Sequence, residues 1–217
     1  MKNFILICLV FALSSCYTNR IEKEFKNIDS ILSPEKISES IKLMTLITST
    51  IKWEMADDGF IKLYCNYPEL YNFNFKSFYS NTNYINEYEI ECKKLSGAKN
   101  ISYGLIFGAT DSNENKYYGI DITVEGYYIV YVVDDKIKTK IKDWTKSEYL
   151  NTGYNEINNI KAKKMEKMYI VFLNGEQVFQ FTEYDFTGNK IGFNLFIGSE
   201  DEEEFPDYPV DVRFKIK

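Results

Sequence analysis

Apolar and polar residues alternate with a period of two along most of the chain, from about Gly59 to the C-terminus. Aromatic and β-branched residues dominate this stretch, and turn signals such as "DDG", "VEG", "LNG" and "FTG" punctuate it. The rhythm predicts an all-β fold, an antiparallel β-sandwich. In "YYGIDITVEGYYIVYVV" a two-residue loop at Glu125-Gly126 pairs Val124 with Tyr127, Ile122 with Ile129, Ile120 with Tyr131 and Tyr118 with Val133, all on one core face. The opposite face then carries Tyr117, Gly119, Asp121, Thr123 and Tyr128, with Val130 and Val132. In "KMYIVFLNGEQVFQF" the Asn174-Gly175 pair signals a type I′ hairpin and sets Met168, Ile170, Phe179 and Phe181 inward. The strand "PVDVRFKIK" turns Val210, Val212, Phe214 and Ile216 inward and its charges outward.

The first fifty residues are patterned differently. Lys2 precedes an unbroken apolar run from Phe4 to Leu13, half of the roughly 20 residues that a membrane-spanning helix needs, so it reads as a secretory signal. The run ends in Leu13, Ser14, Ser15 and Cys16, and "LSSC" resembles the lipobox of bacterial lipoproteins. That resemblance implies cleavage before Cys16, a thioether from its thiol to diacylglycerol and acylation of the new amine, two lipid signals that together anchor stably. Tyr17 stands where an aspartate retains many such proteins at the inner membrane of enteric bacteria, which points to an outer membrane or cell surface within the cell envelope. Between this signal and the strands, Ile21, Phe25, Ile28 and Leu32, then Ile37, Ile41 and Met44, recur at helical spacing, with Ser33 and Pro34 as the start signal of the second helix. The expected organisation is a signal over 1–15, a lipid-anchored helical segment or linker over 16–50 and a sandwich over 51–217.

Charge and cysteines narrow the chemistry. The chain carries 26 basic and 32 acidic residues; loss of Lys2 with the signal leaves 25 against 32, or −7, which disfavours nucleic acid as a partner. There is no histidine, which removes Ser-His-Asp and Cys-His hydrolases and His-ligated metals. Cys65 and Cys92 fall in phase with the core positions of two strands, as a buried disulfide or as two free thiols acting as small hydrophobes.

The succession "YGLIFGATDSNENKYYGIDITVEGYYIVY", "NEINNIKAKK", "MYIVFLNGEQVFQF" and "GNKIGFNLFIG" resembles the concanavalin A-like lectin/glucanase superfamily, nearest to its laminin G-like and domain-of-unknown-function 1080 members. The resemblance covers about 59 to 217 and implies a jelly-roll sandwich; it transfers no functional residue. Glucanases of that superfamily carry an E-x-D-x-E strand whose outer glutamates act as nucleophile and general acid. "NEYEIECKK" offers Glu87, Glu89 and Glu91 at alternate positions, either as such a set or as the wet face of an exposed strand. Tyr117, Asp121 and Tyr128 suit a sugar site, since rings stack on pyranose faces and a carboxylate accepts from hydroxyls, or they pack beneath the N-terminal helices. Asp111 and Glu114 in "DSNEN", and Glu200 and Asp201 in "GSEDEEEF", are candidate calcium ligands, or simply solvated loops.

Three functions follow as expectations. The first is a non-catalytic module for a glycan or glycosylated partner, needing no cofactor; the second is a structural or protein-interaction surface lipoprotein; the third is a carbohydrate hydrolase using Glu87, Glu89 and Glu91.

Overall fold

The computed structural model describes residues 51–56, 58–66, 73–80, 86–110, 115–186, 188–198 and 209–217. The signal, Cys16, the helical segment and the calcium candidates Asp111, Glu114, Glu200 and Asp201 lie outside the described residues. Seven strands form one sheet, in the order β1 (Ile51–Met55), β2 (Ile61–Cys65), β13 (Val210–Ile216), β4 (Glu87–Ser96), β9 (Asn158–Met165), β10 (Met168–Leu173) and β11 (Glu176–Thr182). Six form the other: β3 (Phe73–Ser80), β12 (Lys190–Ile197), β5 (Ser102–Ala109), β6 (Tyr117–Ile122), β7 (Tyr127–Asp134) and β8 (Ile137–Lys146). Every neighbouring pair is antiparallel, and among the described residues there is no helix. Two late strands enter the sheets' interiors, β12 between β3 and β5 and β13 between β2 and β4, which gives the jelly-roll topology of the expected all-β sandwich.

The period-two pattern explains which side of each strand is buried. On β4, Tyr88, Ile90 and Cys92 are sealed in the core while Glu87, Glu89 and Glu91 stay partly wet; on β13, Val210, Val212 and Phe214 are sealed likewise. Between the sheets the large rings stack. Phe107 and Tyr118 lie 5.4 Å apart, Tyr118 and Tyr169 5.0 Å, and Tyr169 and Phe181 5.5 Å, each buried ring contributing ~1.5–3 kcal/mol of burial. Two hydroxyls of this cluster are satisfied at its rim: Tyr88 Oη donates to the Gly188 carbonyl at 2.7 Å, and Tyr118 Oη accepts from the Tyr184 amide at 2.8 Å.

Both hairpins form where the sequence places them, but each in a different register. The β6–β7 turn has three residues, Val124-Glu125-Gly126: the Thr123 amide donates to the Tyr127 carbonyl at 2.9 Å and Gly126 takes a positive φ of 86°. Ile122 therefore faces Tyr128, Ile120 faces Val130 and Tyr118 faces Val132. One residue of slip exchanges the faces of β7, so Tyr128, Val130 and Val132 enter the inter-sheet core and Ile129, Tyr131 and Val133 join Tyr117 on the other side. At the second hairpin Asn174 and Gly175 both have positive φ, 50° and 92°, as a type I′ turn requires. A bulge at Val178 then adds one residue to β11, so Val171 faces Phe179 and Tyr169 faces Phe181. Tyr169, Val171 and Leu173 fill the core in place of Ile170 and Met168, the latter 39% exposed.

Cys65 and Cys92 are buried free thiols, so the disulfide alternative does not hold. They sit on opposite sides of β13, Cys65 beside Val210 and Cys92 beside Phe214. Two strand spacings across and four residues along separate them by ~16 Å, against the ~7 Å between Cα atoms that a disulfide tolerates. Burial pushes the Cys92 thiol far up, so it stays neutral and behaves as a small hydrophobe.

Candidate functional site

At the centre of the six-stranded sheet β5 and β6 are buried at every residue and so closed on both sides. The centre of that sheet's outer face is Asp121, with no exposed surface at all. Asn194 Nδ2 on β12 donates to its Oδ2 at 3.0 Å, Tyr131 Oη on β7 donates to its Oδ1 at 3.3 Å, and Ser102 on β5 adds a third hydrogen bond. Burial raises the Asp121 pKa above the usual carboxylate range, against the opposing pull of Lys138 and of those three donors. Tyr131 reaches Asp121 by lying over Gly119: a Cβ at position 119 would stand 2.1 Å from Tyr131 Cζ. Glycine is required here by that ring.

Long side chains cross this face. Lys138 Nζ on β8 stands 4.0 Å from the centre of the Tyr131 ring and 6.0 Å from that of Phe196 on β12. Three strands separate β8 from β12, ~19 Å in a flat sheet, so the sheet curls toward this side and the face is concave. Lys76 Nζ lies 5.0 Å from the centre of Tyr117, and Phe78 meets that ring edge-on at 5.5 Å. Trp144 packs on the same cluster. The site thus has a closed floor of Tyr117, Asp121, Tyr131 and Asn194 beneath a partly exposed layer of Phe78, Phe196, Trp144 and the two lysines. One polar atom of the floor is unsatisfied: Asn194, 1% exposed, gives its amide hydrogens to Asp121 and leaves Oδ1 without a hydrogen-bond partner.

The sequence candidates are distributed as follows. Tyr117 and Asp121 share the concave face; Tyr128 does not, because the hairpin slip sends its ring into the core and its hydroxyl to the Val178 carbonyl at 3.4 Å. Sequence reasoning passed over Tyr131, Asn194, Lys138 and Trp144. Asn194 had a signal, as the one polar side chain in "IGFNLFI".

Glu87, Glu89 and Glu91 stand on the other sheet's outer face, where Glu87 and Glu89 line a depression of about 630 Å³ with Asn151, Asn159, Lys161, Lys163, Phe172 and Asn174. Each glutamate is matched by a cation: Glu87 with Lys163 at 2.8 Å, Glu89 with Lys161 at 2.8 Å and Glu91 with Lys217 at 2.7 Å. The Lys163 hydrogen bond holds Glu87 below its ordinary pKa, and at Glu89 the hydrogen bonds from Lys161 and Asn159 outweigh partial burial and do the same. A general acid needs the opposite shift. On the concave face the residues alternating along β6 and into its turn are Gly119, Asp121 and Thr123, a single carboxylate where two-carboxylate hydrolysis needs a pair. Among the described residues no group of three or more acidic or cysteine side chains is placed to hold a metal ion.

No protein-family model and no curated protein matches the chain. Solved structures match it in fold. The carbohydrate-binding module CBM66 from Bacillus subtilis superposes with a TM-score of 0.54 at 12% identity, covering 76% of this chain and 89% of that one. A Bacillus licheniformis β-glucanase gives 0.53 at 13% identity, covering 77% and 80%. The GH16 protein of the Bacteroides ovatus mixed-linkage glucan PUL, solved with product, gives 0.56 at 10% identity, covering 78% and 86%. The fold is the jelly roll shared by carbohydrate-binding modules and glucanases, and at these identities the likeness is one of fold.

Proposed function

We propose that the protein is a lipoprotein, anchored through Cys16 in the cell envelope at an outer membrane or cell surface, whose sandwich is a non-catalytic glycan-binding module. The observation that carries the reading is the concave face. It offers aromatic rings from five strands, a buried carboxylate network that fixes Tyr131, and the exposed ammonium of Lys138 as a donor. Sugars present that combination of needs, apolar ring faces for stacking and hydroxyls for hydrogen bonds. The carbohydrate-binding and glucanase folds among its structural neighbours support the same reading. Hydrolysis is the weaker reading, since β6 presents one carboxylate and Glu87 and Glu89 of β4 are held ionised by lysines.

A structural or protein-binding role is favoured by one observation: the floor residues Tyr117, Asp121 and Tyr131 are closed to solvent, so a ligand meets the layer above them. A glycan array probed with the full chain, with calcium and with chelator, separates the readings. Specific binding that Trp144→Ala weakens about tenfold, with the melting temperature held, supports the module. Silence across the array favours the structural role. Loss of binding with chelator would bring calcium and the acidic loops into the site.

A further inference from the structure

We propose that the ligand of the concave face is an acidic saccharide, one whose sugars bear carboxylate or sulfate groups; this rests on the reading of that face as a glycan site. The inference comes from how the molecule places its cations. On the seven-stranded sheet, Lys62, Lys93, Lys161, Lys163, Lys217 and Arg213 each have a carboxylate oxygen within 4.0 Å. On the concave face Lys138 has no such partner among the described residues, although acidic residues outnumber basic ones, 32 to 26. Its ammonium rests on the rings of Tyr131 and Phe196 instead. A ring holds a cation in place without consuming its hydrogen-bond donors, so the charge stays available to a guest.

Anionic groups on the guest match this arrangement better than hydroxyls alone. A neutral sugar seated here strips water from Lys138 and returns only neutral hydrogen bonds. A carboxylate or sulfate returns charge-assisted bonds roughly twice as strong. The rings of Phe196 and Trp144 still receive the apolar faces of the sugar. The surrounding acidic chain disfavours densely charged polyanions at long range, so sparse charge on a sugar framework fits better than a phosphate backbone.

The test is calorimetric titration of the full chain with three hexasaccharides, a galacturonate, a sulfated oligosaccharide and a neutral cello-oligosaccharide, at about 50 and 300 mM salt. The expected result is that one of the acidic hexamers binds at least about tenfold more tightly than the neutral one at low salt, and loses most of that advantage at high salt. Lys138→Gln removes the preference and Lys138→Arg keeps it; the side chain is exposed, so unfolding does not confound the comparison. Neutral binding of equal or greater strength, or a preference that survives Lys138→Gln, would overturn the acidic assignment and leave the glycan module standing. Failure of all three sugars, together with a silent array, would remove both.

Discussion

The outer faces of the two sheets solve the same problem, what to do with charge on a β-surface, in opposite ways. On the seven-stranded sheet the carboxylates of Glu87, Glu89 and Glu91 are partly wet, each meets a lysine across a strand boundary, and Glu87 and Glu89 are pushed below their ordinary pKa. On the six-stranded sheet Asp121 is sealed under rings and pushed above its ordinary pKa, and Lys138 lies on aromatic faces, while at the margins of that sheet Lys140 meets Asp143 and Lys116 meets Asp134. A ladder of matched surface pairs contributes little stability and has no reason to accept a guest. A buried carboxylate costs stability unless its hydrogen bonds are complete, and its retention in a chain that could have placed an apolar residue there points to a role for the geometry it enforces.

The comparison is most sharply broken at Gly119. Alanine suits a strand as well as glycine does, so any cost of Gly119→Ala comes from the neighbour and not from the backbone. The added Cβ would meet Tyr131 at 2.1 Å, so the ring must leave and Asp121 loses its phenolic donor. The expected destabilisation is about 3 kcal/mol by urea unfolding. Tyr131→Leu in the same chain should recover part of it, because contacting sites are not additive. Additive losses would mean that the ring does not rest on Gly119.

Next in size is Asp121→Asn, which offers one acceptor where three donors converge and turns an amide NH₂ toward Asn194 Nδ2; about 2 kcal/mol is expected at neutral pH. Its pH dependence carries the sign. The folded pKa of Asp121 lies above the unfolded value of 3.8, so the charged form is penalised in the fold above the folded pKa. As pH falls through that raised pKa toward 3.8, wild type regains stability and Asp121→Asn does not, so the gap between them widens on acidification. A gap that narrows would place Asp121 in a polar, wet setting.

How much of this was legible beforehand depended on what each residue answers to. The strands and their inward positions follow from period-two patterning, which depends on the side chains alone; Tyr88, Ile90, Cys92, Val210, Val212 and Phe214 were readable for that reason. Register was not, because a three-residue loop at Val124-Glu125-Gly126 and a bulge at Val178 differ from their two-residue and unbulged alternatives by one residue in the count. Asp121 and Tyr117 were readable as chemistry-bearing residues on one face of β6. Tyr131, Asn194 and Lys138 were not, since they reach the site from β7, β12 and β8, and only the curl of the sheet brings them together. Glu87, Glu89 and Glu91 show the converse: their spacing imitates a catalytic strand, and the lysines that neutralise the imitation come from β9 and the C-terminus.

The smallest effect belongs to that ladder. Glu87→Gln with Glu89→Gln keeps the side-chain oxygens, including the one at Glu89 that accepts from Asn159 Nδ2 at 2.7 Å, and removes the charges facing Lys161 and Lys163. Exposed pairs of this kind are worth little after solvent screening, so less than about 1 kcal/mol should be lost at neutral pH. The folded pKa values lie below the ordinary 4.5, so the stability these groups confer is present above 4.5 and is lost as pH falls through the depressed values. The difference between wild type and the double variant should therefore shrink as pH falls below 4.5, whereas the Asp121→Asn gap grows as pH falls toward 3.8 from above. Measured side by side as urea midpoints between neutral pH and the acid limit of folding, two slopes of opposite sign would establish that the faces hold their carboxylates by different means. Slopes of the same sign would collapse the distinction and with it the reason for seeking the ligand on the concave side.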